Sequence, residues 1–175
     1  MAKISNTVAY PSILNLDNAD YVVITDAENE LKTKTATIAQ LQNLFGIDTN
    51  VAQVTVNTGS LLNLGVTSIP LIAAPGAGKV IDIISISQYL DAGNTAFNFG
   101  NDLTVKIGAG TFGTLGAAFA NFATDLVAKI AIPTVSTVIA QNTAVTLETA
   151  ANPTQGNGTM YFNIFYRVLN VGTSF

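Results

Sequence analysis

The sequence predicts a mainly β protein: an antiparallel, jelly-roll-like β-sandwich over residues 51–175, preceded by a small ββα arm over residues 1–50. Three observations carry this. Short β-branched runs recur at intervals closed by Gly, Pro, Asn and Asp, the signature of a sandwich or barrel. Nine of the eighteen charged residues (Lys3, Asp17, Asp20, Asp26, Glu28, Glu30, Lys32, Lys34 and Asp48) fall in positions 1–50, and the other nine are spread over 125, which marks a boundary. Apolar residues make up 49% of a 175-residue chain, enough for a real core.

In the arm, Tyr21-Val22-Val23-Ile24-Thr25 is a β-branched run flanked by Asp20 and Asp26. Asp26 to Glu30 reads as a polar turn, and Leu31-Lys32-Thr33-Lys34-Thr35 as a second, more polar strand. Thr37 is placed to N-cap a short helix carrying Ile38, Leu41, Leu44 and Phe45, with Gly46 as its C-cap. A unit of about 45 residues buries little surface alone, so it needs a partner, copies of itself, or its own second domain.

The sandwich begins with Val51 to Val56, which Ser60 to Leu64 is read to continue. Ser68 to Ala73 carries Pro70, which suits an edge or a strand start. After the Pro75–Gly78 turn, Lys79 to Tyr89 is a long strand. Strict alternation puts Val80, Asp82, Ile84 and Ile86 on one face and Ile81, Ile83 and Ser85 on the other, both largely apolar as in a central strand. Asp91 to Asn94 is a turn. Ala96–Phe99 and Leu103–Ile107 read as hairpin partners joined through Gly100-Asn101-Asp102. Within Ala117–Asp125 a helix of one or two turns is expected, and Asp125–Ile132 is open between helix and strand. Ala144–Glu148 is a short strand, Asn152–Gly158 a turn, and Thr159–Val171 a long aromatic strand.

Composition excludes much chemistry. With no His and no Cys, the commonest general base, metal ligand and thiolate nucleophile are absent. Seven basic against eleven acidic residues, a net charge of -4, argue against a nucleic-acid partner. A mean hydropathy of +0.42 raises a membrane reading. A spanning helix needs about 20 mostly apolar residues. The best stretch, Leu115–Ile132, contains Asn121, Asp125 and Lys129 and ends at Pro133. The opening MAKISNTVAYPS has no signal-like apolar run. The chain is therefore read as soluble and unprocessed, with no membrane partner and with its charge-poor surface covered in an assembly.

The apparent motifs fail on spacing or context. Ala73-Ala74-Pro75-Gly76-Ala77-Gly78-Lys79-Val80 lacks the first glycine and the hydroxyl of a phosphate loop, so a hairpin turn is the better reading. Gly108-Ala109-Gly110-Thr111-Phe112-Gly113 fits G-x-G-x-x-G and precedes an Ala-rich stretch. The parallel βαβ context and the acidic residue about twenty positions on are missing, so it reads as a flexible glycine-rich loop. Asp82, Asp91, Asp102, Asp125 and Glu148 are isolated along the chain. No catalytic residue, cofactor or metal site is assigned.

The last strand is apolar on both faces. Met160, Phe162, Ile164, Tyr166 and Val168 lie on one, and Tyr161, Asn163, Phe165, Arg167 and Leu169 on the other. Such a strand is covered on both sides. One cover is the sandwich core, and the other is either a second sheet or a neighbouring subunit. Tyr161, Phe165, Arg167 and Leu169 are the candidate subunit interface.

Two stretches resemble known proteins. Residues 3–46 resemble the N-terminal attachment segment of tailed-bacteriophage fibre and head-decoration proteins, through Lys3-Ile4-Ser5-Asn6, Asp20-Tyr21-Val22-Val23-Ile24-Thr25-Asp26, Leu31–Thr35 and Leu44-Phe45-Gly46. Residues 66–168 resemble a phage or prophage β-sandwich module, through Pro75–Lys79, Ala151–Thr154, Gly156–Thr159 and Phe165-Tyr166-Arg167. The resemblance implies a non-enzymatic virion structural protein, assembled in the host cytoplasm. It implies a homotrimeric head fibre or capsid decoration protein whose arm docks on capsid or portal-vertex proteins. A tail or baseplate fibre module, or a carbohydrate-binding module for a host surface glycan, is the alternative; the latter would use exposed aromatics with the Asp91–Asn94 and Gly108–Gly113 loops. The implied attachment surface is Tyr21, Val22, Val23, Ile24, Leu31, Ile38, Leu41, Leu44 and Phe45.

Overall fold

The computed structural model describes residues 19–26, 32–44, 49–130 and 140–172. The chain forms two compact units, Met1–Asp48 and Thr49–Phe175.

In the first unit, β1 (Tyr21–Asp26) pairs antiparallel with β2 (Lys32–Thr37), from Tyr21 opposite Thr37 to Asp26 opposite Lys32. Helix α1 (Ile38–Leu44) follows without a break. Thr37 closes the strand and caps the helix. Its Oγ1 accepts from the Gln40 backbone N–H at 3.1 Å, and Gln40 Oε1 accepts from the Thr37 N–H at 2.8 Å. This reciprocal capping box satisfies two donors that a helix start otherwise leaves open. The remaining turn residues 27–30, the Gly46 cap, Leu31 and Phe45 lie outside the described residues.

The second unit is an antiparallel β-sandwich. Its strands are β3 (Asn50–Val56), β4 (Ile69–Ile72), β5 (Lys79–Asp91), β6 (Leu103–Ile107), β7 (Gly110–Leu115), β8 (Leu126–Ile130), β9 (Val145–Thr149) and β10 (Thr159–Asn170). One sheet has the order β3-β10-β5-β8 and the other β4-β9-β6-β7. Only β6 and β7 are both consecutive and paired; elsewhere the chain crosses between sheets. The core joins both inner faces, with Ile86, Leu90, Met160, Phe162 and Ile164 from the first sheet and Leu103, Val105, Val145 and Leu147 from the second. Burial at every second position of β6 (Leu103, Val105, Ile107) and β9 (Val145, Leu147, Thr149) is what fixes their register.

Several expectations change. Ser60–Leu64 does not extend β3. Asn57 Oδ1 accepts from the Ser60 N–H at 2.9 Å and caps a short helix, α2 (Thr58–Leu62), which buries Leu61. Ala96–Phe99 is not a strand, and the hairpin partner of β6 is β7. Phe97 and Phe99 instead insert into the core from a loop whose backbone bonds to Asn and Gln side chains. The Pro75–Gly78 turn carries the chain from one sheet to the other, so it is not a hairpin turn. Gly108-Ala109 is the tight turn of the β6–β7 hairpin, with Ile107 opposite Gly110, and not a flexible loop. The glycine-rich run thus spans this turn and the first four residues of β7, and the one-turn helix α3 (Ala117–Ala120) comes only after that strand. The 125–132 stretch is a strand over Leu126–Ile130; residues 131 and 132 lie outside the described ones.

The strict alternation expected along β5 breaks at a β-bulge. Phe165 lies opposite Ser85 but Tyr166 opposite Ile83, so Ile84 is an extra residue. The bulge swaps the faces. Ile81 and Ile83 join Ile86, Gln88 and Leu90 in the core, while Val80, Asp82, Ile84, Ser85, Ser87 and Tyr89 face outward.

Candidate functional site

The outer faces of the two sheets differ in kind. That of β4-β9-β6-β7 presents Thr104, Lys106, Thr111, Thr114, Thr146 and Glu148, with Lys106 paired to Glu148. It is a solvated face. That of β3-β10-β5-β8 is built in cross-strand rows. Thr55, Tyr161, Tyr89 and Val127 form the first row; Gln53, Asn163, Ser87 and Lys129 the next. Val51, Phe165 and Ser85 follow, then Arg167 beside Asp82 and Leu169 beside Val80. Val51 is 51% exposed, Val127 66%, Tyr161 41% and Phe165 37%.

Two charges on this face neutralise each other, while Lys129 stands exposed on its β8 edge. Arg167 donates to Asp82 Oδ2 from Nε at 3.1 Å and from Nη2 at 2.5 Å. The pair is partly exposed, so its net contribution is small. The guanidinium is, however, occupied. Of the four candidate interface residues, Tyr161 and Phe165 stand exposed, Leu169 is half-buried against the Val80 row, and Arg167 is held by Asp82. Val51, Ile84, Tyr89 and Val127 share the face and were missed, because only sheet register gathers them from three other strands.

One end of the face is pinned. Tyr89 stacks on Tyr161 with ring centroids 5.8 Å apart and planes 29° apart. Its hydroxyl donates to Asp125 Oδ2 at 2.8 Å, and Asp125 Oδ1 accepts from the Ala92 N–H at 3.1 Å. These two bonds, the Tyr89 bond foremost, hold the Asp125 carboxyl below its ordinary range, and the bond to Asp125, followed by burial and the charge of Asp125, raises the Tyr89 hydroxyl above its own. A depressed carboxyl stabilises the fold above its unfolded value and loses that contribution as pH falls through the folded one. The raised hydroxyl contributes below its ordinary value of 10.0 and loses its contribution at higher pH. Thermal stability is therefore expected to fall faster below about pH 4 in the wild type than in Asp125→Asn, as read by melting curves across acid pH. Parallel curves would remove the clamp as an acid-sensitive contact.

Beside the tyrosine pair lies an open depression of about 370 Å³, lined by Gln53, Thr55, Ser87, Val127 and Asn163 among others. The two loops expected to act together on a glycan do not meet. Asp91–Asn94 adjoins Asn157 and Gly158, whereas Gly108 adjoins Ala140 and Thr143, whose neighbour Asn142 bonds to Lys79 at the opposite end of β5. That strand has 13 residues, so the ends are about 40 Å apart.

In the first unit, Tyr21 is 72% and Val23 68% exposed. Val22, opposite Ala36, is half-buried, as are Ile38 and Leu41. Ile24 lies in β1 and Leu44 at the end of α1. The described residues hold no cluster of three or more His, Cys, Asp or Glu able to bind a metal, and no helix among them is long and apolar enough to cross a membrane.

These features define an antiparallel β-sandwich with one polar outer face and one that mixes exposed aromatic and aliphatic side chains with polar ones, joined to a small ββα unit. No protein-family model and no curated protein matches the chain. Among solved structures it is similar to a chain of the cyanophage Pam1 capsid asymmetric unit, at 18% identity and a TM-score of 0.49, over 68% of this chain and 84% of that one.

Proposed function

We propose that the protein is a non-enzymatic structural component of a tailed-bacteriophage virion, a homotrimeric head fibre or capsid decoration protein. Its first unit docks on capsid or portal-vertex proteins, and its sandwich associates with copies of itself. The observation that carries this reading is the division into Met1–Asp48 and Thr49–Phe175, which separates the two segments resembling an attachment arm and a virion β-sandwich module. The first unit leaves Tyr21 and Val23 open to a partner. The alternation of strands between two four-stranded sheets fits the jelly-roll form of such a module.

Deleting residues 1–46 tests the division of labour. The truncated protein is expected to keep the β-type circular dichroism of the sandwich and to lose at least about tenfold in binding to purified particles lacking the protein, the loss of one hot-spot contact or more. Particle binding unchanged by the deletion would sink the docking role of the arm.

A further inference from the structure

We propose that the outer face of the β3-β10-β5-β8 sheet is the surface through which three copies of this chain associate, each turning that face toward a common three-fold axis. The inference rests on the self-association reading above and adds the surface and the geometry. Its first support is the contrast inside one molecule. Val51, Ile84, Tyr89, Val127, Tyr161 and Phe165 are all on this face, and no exposed large apolar side chain among the described residues is on the other. Their exposures run from 36% for Tyr89 to 66% for Val127, in two groups either side of the Gln53-Asn163-Ser87-Lys129 row.

The occupant is argued from charge together with the sheet edges. Arg167 and Asp82 neutralise each other on the two central strands, beyond the last paired residue of β3, and Lys129 sits on the edge strand β8. Outside that pair the charges are of both signs, Lys129 on the β8 edge and Asp91 and Asp125 at the Tyr89 end, so the face presents no one-sided field to a strongly charged partner. The stacked Tyr89–Tyr161 pair, tied down through Asp125, is an aromatic anchor with little side-chain entropy left to lose.

Three copies are favoured by dimensions and by the edges. Four strands about 4.8 Å apart make a sheet about 19 Å wide; three such sheets closed as a triangular prism each lie about 5.5 Å from the axis, close to half the ~10 Å spacing of packed sheets. Side chains of ordinary length fill that interior. Closure also sets the β3 edge of one copy beside the β8 edge of the next. β3 needs such cover. The edge strand β4 carries Pro70 and a register shift, β7 a register shift, and β8 a lysine, but β3 (NVAQVTV) has no proline, charge or bulge over seven residues. A long uncharged edge left open is an aggregation site, so its lack of protection fits cover in the native assembly. A face-to-face pair would leave it open.

The test is sedimentation equilibrium on the full chain at micromolar concentration. The wild type is expected at the mass of three chains. Phe165→Glu is expected to weaken association at least about 30-fold and run as a single folded chain, while Thr104→Glu on the other outer face stays at three. Should Phe165→Glu fail to fold, Val51→Lys on the edge strand is expected to give the same dissociation. Folded variants that keep the three-chain mass overturn the face and leave self-association standing. A wild-type mass of two chains overturns the three-fold arrangement. A wild type of one chain, including one whose face binds a neutral oligosaccharide, overturns both readings.

Discussion

Replacing Gly156 with alanine is expected to cost about 3–5 kcal/mol and to lower the melting temperature by on the order of 10 °C. Two separate penalties combine. Gly156 has φ +129°, a backbone conformation that residues with a Cβ rarely adopt. The added Cβ would also lie 2.6 Å from Phe97 Cε1 and closer still to the rest of the ring edge. Phe97 is 3% exposed, packed near Phe99 with centroids 5.5 Å apart. It has no solvent to move into.

Nor is the loop free to retreat. Asn98 Oδ1 accepts from the Thr154 and Gln155 N–H groups at 2.8 and 3.1 Å, and its Nδ2 donates to Thr154 Oγ1 at 2.7 Å. On the other side of Phe97, Asn157 Oδ1 accepts from the Thr95 N–H at 2.8 Å. The segments either side of the clash are thus stitched together. Gly76→Ala is the control, because Gly76 has φ +100° with nothing within 4 Å of its would-be Cβ. It carries strain without collision and is expected to cost about 1 kcal/mol. Chemical denaturation of both variants separates the two terms, and equal losses would mean that the Phe97 ring yields.

The same loop shows where sequence reading stops. Phe97-Asn98-Phe99 alternates as a strand would, and nothing local says otherwise. Its conformation is set by amides of Asn121, Asn157 and Gln155, between 22 and 62 positions away, bonding to its backbone. By contrast, β3, β6, β9 and β10 were legible because one buried face imposes period 2, and Pro70 correctly marked an edge strand. The bulge at Ile84 was hidden because Ile83-Ile84 is apolar at both positions, leaving alternation no contrast to break. Helix α2 did leave a signal, Asn57 three residues before Ser60, which was read as part of a strand run. Tyr161, Phe165 and Leu169 could be grouped from one strand. The engagement of Arg167 with Asp82 could not, since their pairing depends on register beyond the bulge.

Gln88→Leu is expected to stabilise the protein by about 1–3 kcal/mol. Gln88 is 1% exposed on the core face of β5, between Phe162 of β10 and Ala128 of β8. Neither its Nε2 nor its Oε1 has a hydrogen-bond partner. A buried amide with both ends unpaired keeps its full desolvation penalty, which leucine removes at nearly the same volume. Gln88→Ala separates polarity from packing: it removes the amide but leaves a cavity, so its net effect is expected to fall below that of leucine by about 2–5 kcal/mol. Gln88 points inward while its neighbours Ser87 and Tyr89 face out. The leucine variant is therefore expected to raise the melting temperature and leave the association constant unchanged. Both are best measured at matched chain concentration, since assembly itself adds to apparent stability. A loss of stability on Gln88→Leu would mean that the amide has a partner within the fold, and a change in association would mean that core and outer face are not independent.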